Sequence, residues 1–184
     1  MKTLESIKKR RSIRTYEKGR IPRETIQILL EAAMYAPSAR NEQPWQFMVV
    51  DDPAVLRELA EAHPYGKMLA EAGAAILVCG DKTMQENESY LLQNCSAATQ
   101  NILLAAHELG LGTVWLGIQP REQRVDAVRR ILRLPSHIFP VSLVSIGKPA
   151  EVRDTPQRFK KERIHYNEWQ GEIKKDNGSP VGFA

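Results

Sequence analysis

PRETIQILLEAAMYAPSARNEQPWQFMVVD, residues 22–51, changes period halfway along its length. Pro22 suits a first helical turn, where its missing N–H costs no bond, and apolar residues at 26, 29, 30, 33 and 34 make one helical stripe. Pro37 and Pro44 stop that helix and force a loop. From Trp45 the run WQFMVVD is short, apolar and partly β-branched, as a buried strand is. A helix passing through a brief loop into a buried strand predicts mixed helix and strand content.

The same alternation continues outward. TLESIKKR predicts a short helix that ends at the arginines of residues 10–14. PAVLRELAEAH predicts a helix started by Pro53, and AAILVCG a second buried strand. Residues 86–109 predict a long core helix stopped by Gly110. GLGTVWLGI is a glycine-punctuated strand or loop, PREQRVDAVRRILRL a helix ending before Pro135, and FPVSLVSIG another strand. RFKKERIHYNEW is a short helix or an extended arm, and the terminal KKDNGSPVGFA predicts a frayed tail. The expected organisation is one domain over residues 1–170 and a flexible tail over 171–184.

Composition bounds the function. A length of 184 residues, 42% hydrophobic and 26% charged, fits one soluble globular domain. The N-terminus MKTLESIKKRRS has no apolar signal region, and no run of about 18 apolar residues could span a bilayer. Cys79 and Cys95 lack C-x-x-C spacing and predict reduced core thiols in a cytoplasmic protein. Four scattered histidines give no metal spacing. Neither G-x-G-x-x-G after the first strand nor a P-loop is present. The net charge of +4 favours anionic ligands without implying nucleic acid.

Two stretches carry chemistry. In RRSIRTYEKGR, residues 10–20, Arg10 and Arg14 with Ser12 between them suit one phosphate; a solvated charge run is the alternative. In APSARNEQPW, residues 36–45, Ser38, Asn41 and Gln43 offer polar groups to a heterocycle edge, or form a plain turn.

Taken in order, RRSIR, PSARNEQPW, KMLAEAGAAILVCGD, AAHELGLGTVWLG, IGKP and the basic RFKKERIHYNEW resemble the nitroreductase family of FMN-dependent oxidoreductases along nearly the whole chain. The resemblance implies an α+β, three-layer fold in which a central, mostly antiparallel sheet is flanked by helices, in an intertwined homodimer. It implies FMN as cofactor and NAD(P)H as reductant, with a nitroaromatic, quinone or similar small molecule reduced by a ping-pong cycle. Arg10 and Ser12 would hold the FMN phosphate, with Arg11 lining the same segment and Arg158 adding a C-terminal phosphate contact. Arg14 and Lys67 would lie at the pyrimidine edge and tune the cofactor, with no protein acid or base required. Pro37, Ser38, Ala39 and Asn41 match a loop that the partner subunit lays against the flavin, and Gln43 closes it. Leu116 and Gly117 match the backbone that approaches the ring.

The chain departs from that pattern at Ala39, where a second serine is usual, and in the short interval between Lys67 and Glu86, which leaves no room for a long lid. A flavin-binding sensor without catalysis and a basic nucleic-acid-binding module are the rival readings; no nucleic-acid or membrane partner is expected.

Overall fold

Side-chain caps set two of the helix starts. Asp52 Oδ1 accepts the N–H of Ala54 at 2.7 Å, and Asn87 Oδ1 accepts those of Ser89 and Tyr90 at 2.9 and 3.3 Å. The computed structural model describes residues 3–169; the predicted tail, 171–184, lies outside the described residues. Five α-helices result among the described residues: α1 (Thr3–Lys9), α2 (Arg23–Met34), α3 (Pro53–Ala62), α4 (Glu88–Glu108) and α5 (Glu122–Leu132). The Asn87 cap makes α4 begin later than the expected residue 86.

Five strands accompany them: β1 (Tyr16–Glu17), β2 (Trp45–Val50), β3 (Ala74–Asp81), β4 (Gly112–Gly117) and β5 (Ile138–Pro149). The sheet runs β2-β3-β5-β4 with every pair antiparallel, and β1 pairs with the far end of β5. GLGTVWLGI is therefore a strand. RFKKERIHYNEW is an arm broken by one 3-10 turn, Lys161–Arg163.

Strand alternation sorts the core into two layers. From β3, Ala74, Ile76 and Val78 pack with α2 and α4 on one face, while Ala75, Leu77 and Cys79 pack with Leu56 and Leu59 of α3 and Val128 of α5 on the other. Each fully buried Leu or Ile removes enough apolar surface from water to contribute about 1.5–3 kcal/mol. The expected three-layer α+β architecture is the one observed, and no helix among the described residues is long and apolar enough to cross a membrane. Cys79 and Cys95 are free and buried, and burial pushes the Cys95 thiol up to about 12.

One irregularity places the site. β3 and β5 change register between Val78 and Cys79, so Val141 has no partner across the pair. Its carbonyl accepts the N–H groups of Ile118 and Gln119 at 3.1 and 3.2 Å. The chain leaving β4 turns there into α5, which brings Arg121 and Arg124 beside Gly117.

Candidate active site

Residues 10–17 are fastened to the sheet from both sides. Arg10 N–H bonds the Ser6 carbonyl at the end of α1, Ser12 forms a parallel bridge with Thr113, and Ile13 N–H reaches the Thr113 carbonyl at 2.9 Å. Tyr16 then pairs with Pro149. This approach needs two glycines: a Cβ on Gly112 would stand 2.7 Å from Ile13, and one on Gly147 would stand 2.5 Å from the Tyr16 ring. Glu151 closes the arrangement by accepting the backbone N–H groups of Arg14 and Thr15. Because extended residues alternate, buried Ile13 leaves Ser12 and Arg14 on the opposite side.

Arg14 lines a cavity of about 550 Å³ together with Lys67, Leu116 and Gly117. Four of the predicted residues thus meet in one place. Sequence reasoning missed its remaining wall: His63, Tyr65, Trp115, Arg121 and Arg124. The turn HPYGKM, residues 63–68, offered a signal, since it sets an imidazole and a phenol beside Lys67. Arg121 and Arg124 had none, as charges on an amphipathic helix ordinarily mark its solvated face.

The Gly117 carbonyl accepts two bonds, from His63 Nε2 at 3.1 Å and from Arg124 Nη1 at 2.8 Å. His63 Nδ1 accepts the Tyr65 N–H at 3.2 Å, which fixes the neutral, Nε2-protonated tautomer. Burial is the largest influence on this imidazole and holds it below its ordinary range, with Arg124 acting the same way and the Gly117 bond opposing.

Arg10, Arg11 and Arg158 gather at the other end of β4, where Arg10 and Arg11 border a smaller cavity of about 250 Å³ with His107 and Thr113. Burial, then the like charges of Arg11 and Arg158, lower the half-buried Arg10 guanidinium from its ordinary range. Arg11 is lowered by burial and by Arg158. Arg11 uses its donors on the carbonyls of Lys8, Arg10 and Asp154, securing α1 and the start of the arm. Arg10 has no carboxylate partner among the described residues.

The third predicted group stands elsewhere. Pro37, Ser38, Ala39, Asn41 and Gln43 precede β2, while the cavity follows β4, and these strands are the two edges of the β2-β3-β5-β4 path. Three strand spacings separate them, about 14 Å. The loop is shaped by its own polar groups: Ser38 Oγ accepts Gln43 N–H at 3.0 Å, Asn41 Oδ1 accepts Gln43 Nε2 at 3.1 Å, and Asn94 Oδ1 of α4 accepts Ala39 N–H at 3.1 Å. Pro37, Asn41 and Gln43 are exposed.

A helix-flanked antiparallel sheet with Arg10 and Arg14 lining two cavities beside β4 defines an α+β domain with a basic edge. The chain belongs to the Nitroreductase family, whose model matches residues 7–63 and 61–148. A Methanothermobacter thermautotrophicus protein, whose name pairs NADH dehydrogenase with NAD(P)H nitroreductase, is 47% identical over 169 residues, covering 92% of this chain and 88% of its own. Among solved structures, a Bacteroides thetaiotaomicron protein named in the same way superimposes with a TM-score of 0.87 at 42% identity, over 91% of this chain and 98% of its own. A Desulfovibrio desulfuricans relative solved in complex with FMN has a TM-score of 0.79 at 33% identity, covering 92% and 98%.

Proposed function

We propose that the chain is an FMN-dependent oxidoreductase that takes hydride from NADH or NADPH and reduces a small acceptor, a nitroaromatic or quinone, in a ping-pong cycle. The observation that carries this reading is the group of like charges at Arg10, Arg11 and Arg158, which repel one another, with no ion pair to Arg10 among the described residues. A phosphate dianion relieves that repulsion, and Arg10, Arg158 and the Ser12 hydroxyl are the donors left to bind it. Arg11, already bonded to carbonyls, positions the segment.

When bound, FMN supplies a two-electron carrier that receives hydride from the nicotinamide and delivers it to the acceptor. Arg14 and Lys67 hold fixed positive charge at the pyrimidine edge, where negative charge grows on reduction. Leu116 and Gly117 present backbone to the ring face, and the two bonds to the Gly117 carbonyl keep that backbone still. His63, held below its ordinary range chiefly by burial, adds no charge there at neutral pH.

The site is shared between two subunits, the Pro37–Gln43 loop coming from the partner. The strand spacing supports this, because it sets that loop and the cavity at opposite edges of one chain's sheet. Exposed apolar side chains beside the loop and along the arm, Tyr35 at 80% and Phe159 at 74%, fit coverage by a second copy. Two free, buried cysteines fit a reducing cytoplasm.

The test is the pigment. Protein purified without added flavin is expected to be yellow, to bleach with NAD(P)H, and to release FMN identified by mass. Release of FAD, or failure to take up FMN on reconstitution, overturns the assignment.

A further inference from the structure

We propose that Arg121, Arg124 and Tyr65 form an anion-selective rim on the main cavity, so that the acceptor is an aromatic molecule carrying a carboxylate or similar oxyanion; this rests on the function proposed above. The cavity is lined by four cationic side chains, Arg14, Lys67, Arg121 and Arg124, and by no Asp or Glu. None of the four forms an ion pair among the described residues. Arg14 and Lys67 have a use at the pyrimidine edge. Of the other two, Arg124 spends one donor on the Gly117 carbonyl, and no hydrogen bond or ion pair of the Arg121 guanidinium is formed among the described residues.

Arg124 is held in place. Its Nη1 bonds the Gly117 carbonyl at 2.8 Å, and its guanidinium carbon lies 5.6 Å from the centroid of the Tyr65 ring. The rest of its donor fork is free for a carboxylate, the geometry a guanidinium suits best. Arg121, the extended residue just before α5, lines the same cavity as Arg124. It is exposed and makes no cap bond of its own. Tyr65, 61% exposed, and Trp115 supply aromatic walls for a ring. A neutral quinone gains nothing from the two outer charges, whereas an oxyanion placed against them is attracted and oriented. Unopposed charge of one sign at the mouth of a cleft also raises the local concentration of anions.

The experiment uses the purified protein as isolated, its flavin content read from visible absorbance, and titrates it by calorimetry with 4-nitrobenzoate and with neutral 4-nitrobenzamide. Adenosine 2′,5′-bisphosphate, a mimic of the reductant's phosphates, is titrated in parallel. Nitrobenzoate is expected to bind about threefold to tenfold more tightly than the amide, a gain set by a charge-assisted contact that solvent screens in part. Arg121→Gln is expected to remove most of that difference, Arg121→Lys to keep most of it, and added salt to reduce it. Equal affinity for acid and amide in yellow protein overturns the anionic rim and leaves the flavin function standing. So does a preference that survives in Arg121→Gln, or one in which Arg121→Gln weakens only the bisphosphate. Colourless protein that takes up no FMN overturns the functional reading itself.

Discussion

His63 and Gly117, 54 residues apart, are joined by a hydrogen bond of 3.1 Å from the imidazole Nε2 to the carbonyl oxygen, and this bond ties the turn carrying Lys67 to the end of β4. The imidazole is buried and neutral, with its second nitrogen occupied by the Tyr65 N–H. Protonation would remove that acceptor and place a charge in a buried position beside Arg124.

The pH dependence of stability follows. Burial holds the folded-state value of His63 below the ordinary 6.5, so above that pH the residue is neutral in both states. Below it the unfolded chain binds a proton that the folded chain resists, and stability falls. His107, lowered chiefly by burial and then by Arg10, acts in the same direction. The melting temperature is expected to drop between about pH 7 and pH 5, above the range where carboxylates titrate. In His63→Gln, which keeps a donor for Gly117, the drop is expected to be smaller. Equal slopes in differential scanning calorimetry would show that another group carries the effect.

Arg10 and Arg14 line two different cavities beside β4 and are expected to fail differently. Arg10→Ala weakens FMN retention, by about 1.5–3 kcal/mol for a lost charge-assisted contact. Arg14→Ala slows flavin reduction by NAD(P)H more than it weakens FMN binding, since its charge acts where negative charge grows. Equilibrium FMN titration and stopped-flow reduction of both variants separate the two roles; parallel losses in both assays would refute the division.

Gly147→Ala tests how the arginine segment is seated. The added methyl would meet the Tyr16 ring at 2.5 Å, and that ring is fixed by its hydroxyl, which bonds the Ile13 carbonyl at 2.9 Å. Overpacking of this kind costs about 1–3 kcal/mol. Urea denaturation is expected to show that loss together with weaker FMN retention, because Ser12 and Arg14 shift with the segment. An unchanged midpoint would mean that Tyr16 can move aside.

Subunit mixing tests the shared site. When chains carrying Arg10→Glu are co-expressed with chains carrying Asn41→Leu, each heterodimer has one site with both defects and one with neither. Random assortment makes about half the dimers mixed and restores about a quarter of wild-type activity, as two-fold symmetry requires. With folded and nearly inactive parents, a mixture no more active than they are would place both residues in the same chain's site.

Local signals in the sequence determined most of the elements. Pro22, Pro53 and the apolar stripe of α2 act within a turn or two of themselves, and the apolar runs of β3 and β5 are buried as expected. β2, read as a buried strand, is instead an edge strand that buries Trp45 and Val50 and exposes Gln46, Met48 and Val49. The order of motifs from RRSIR to IGKP was likewise legible, and it pointed to the family that the comparisons then showed. β1 was not legible, since two residues carry no period. Nor was the start of α4, which depends on one asparagine cap.

The tertiary structure decided which of these pieces meet. Arg14 reaches Leu116 and Gly117 because residues 12–13 dock on β4 a hundred positions away, and that docking depends on the missing Cβ atoms of Gly112 and Gly147. Arg121 and Arg124 face the cavity because a bulge at Val141 turns the chain after β4. Strand order puts the Pro37–Gln43 loop on the far edge of the sheet. Propensity and periodicity act over about four neighbouring residues, whereas strand pairing and close backbone approach act between residues that only the packed core brings together.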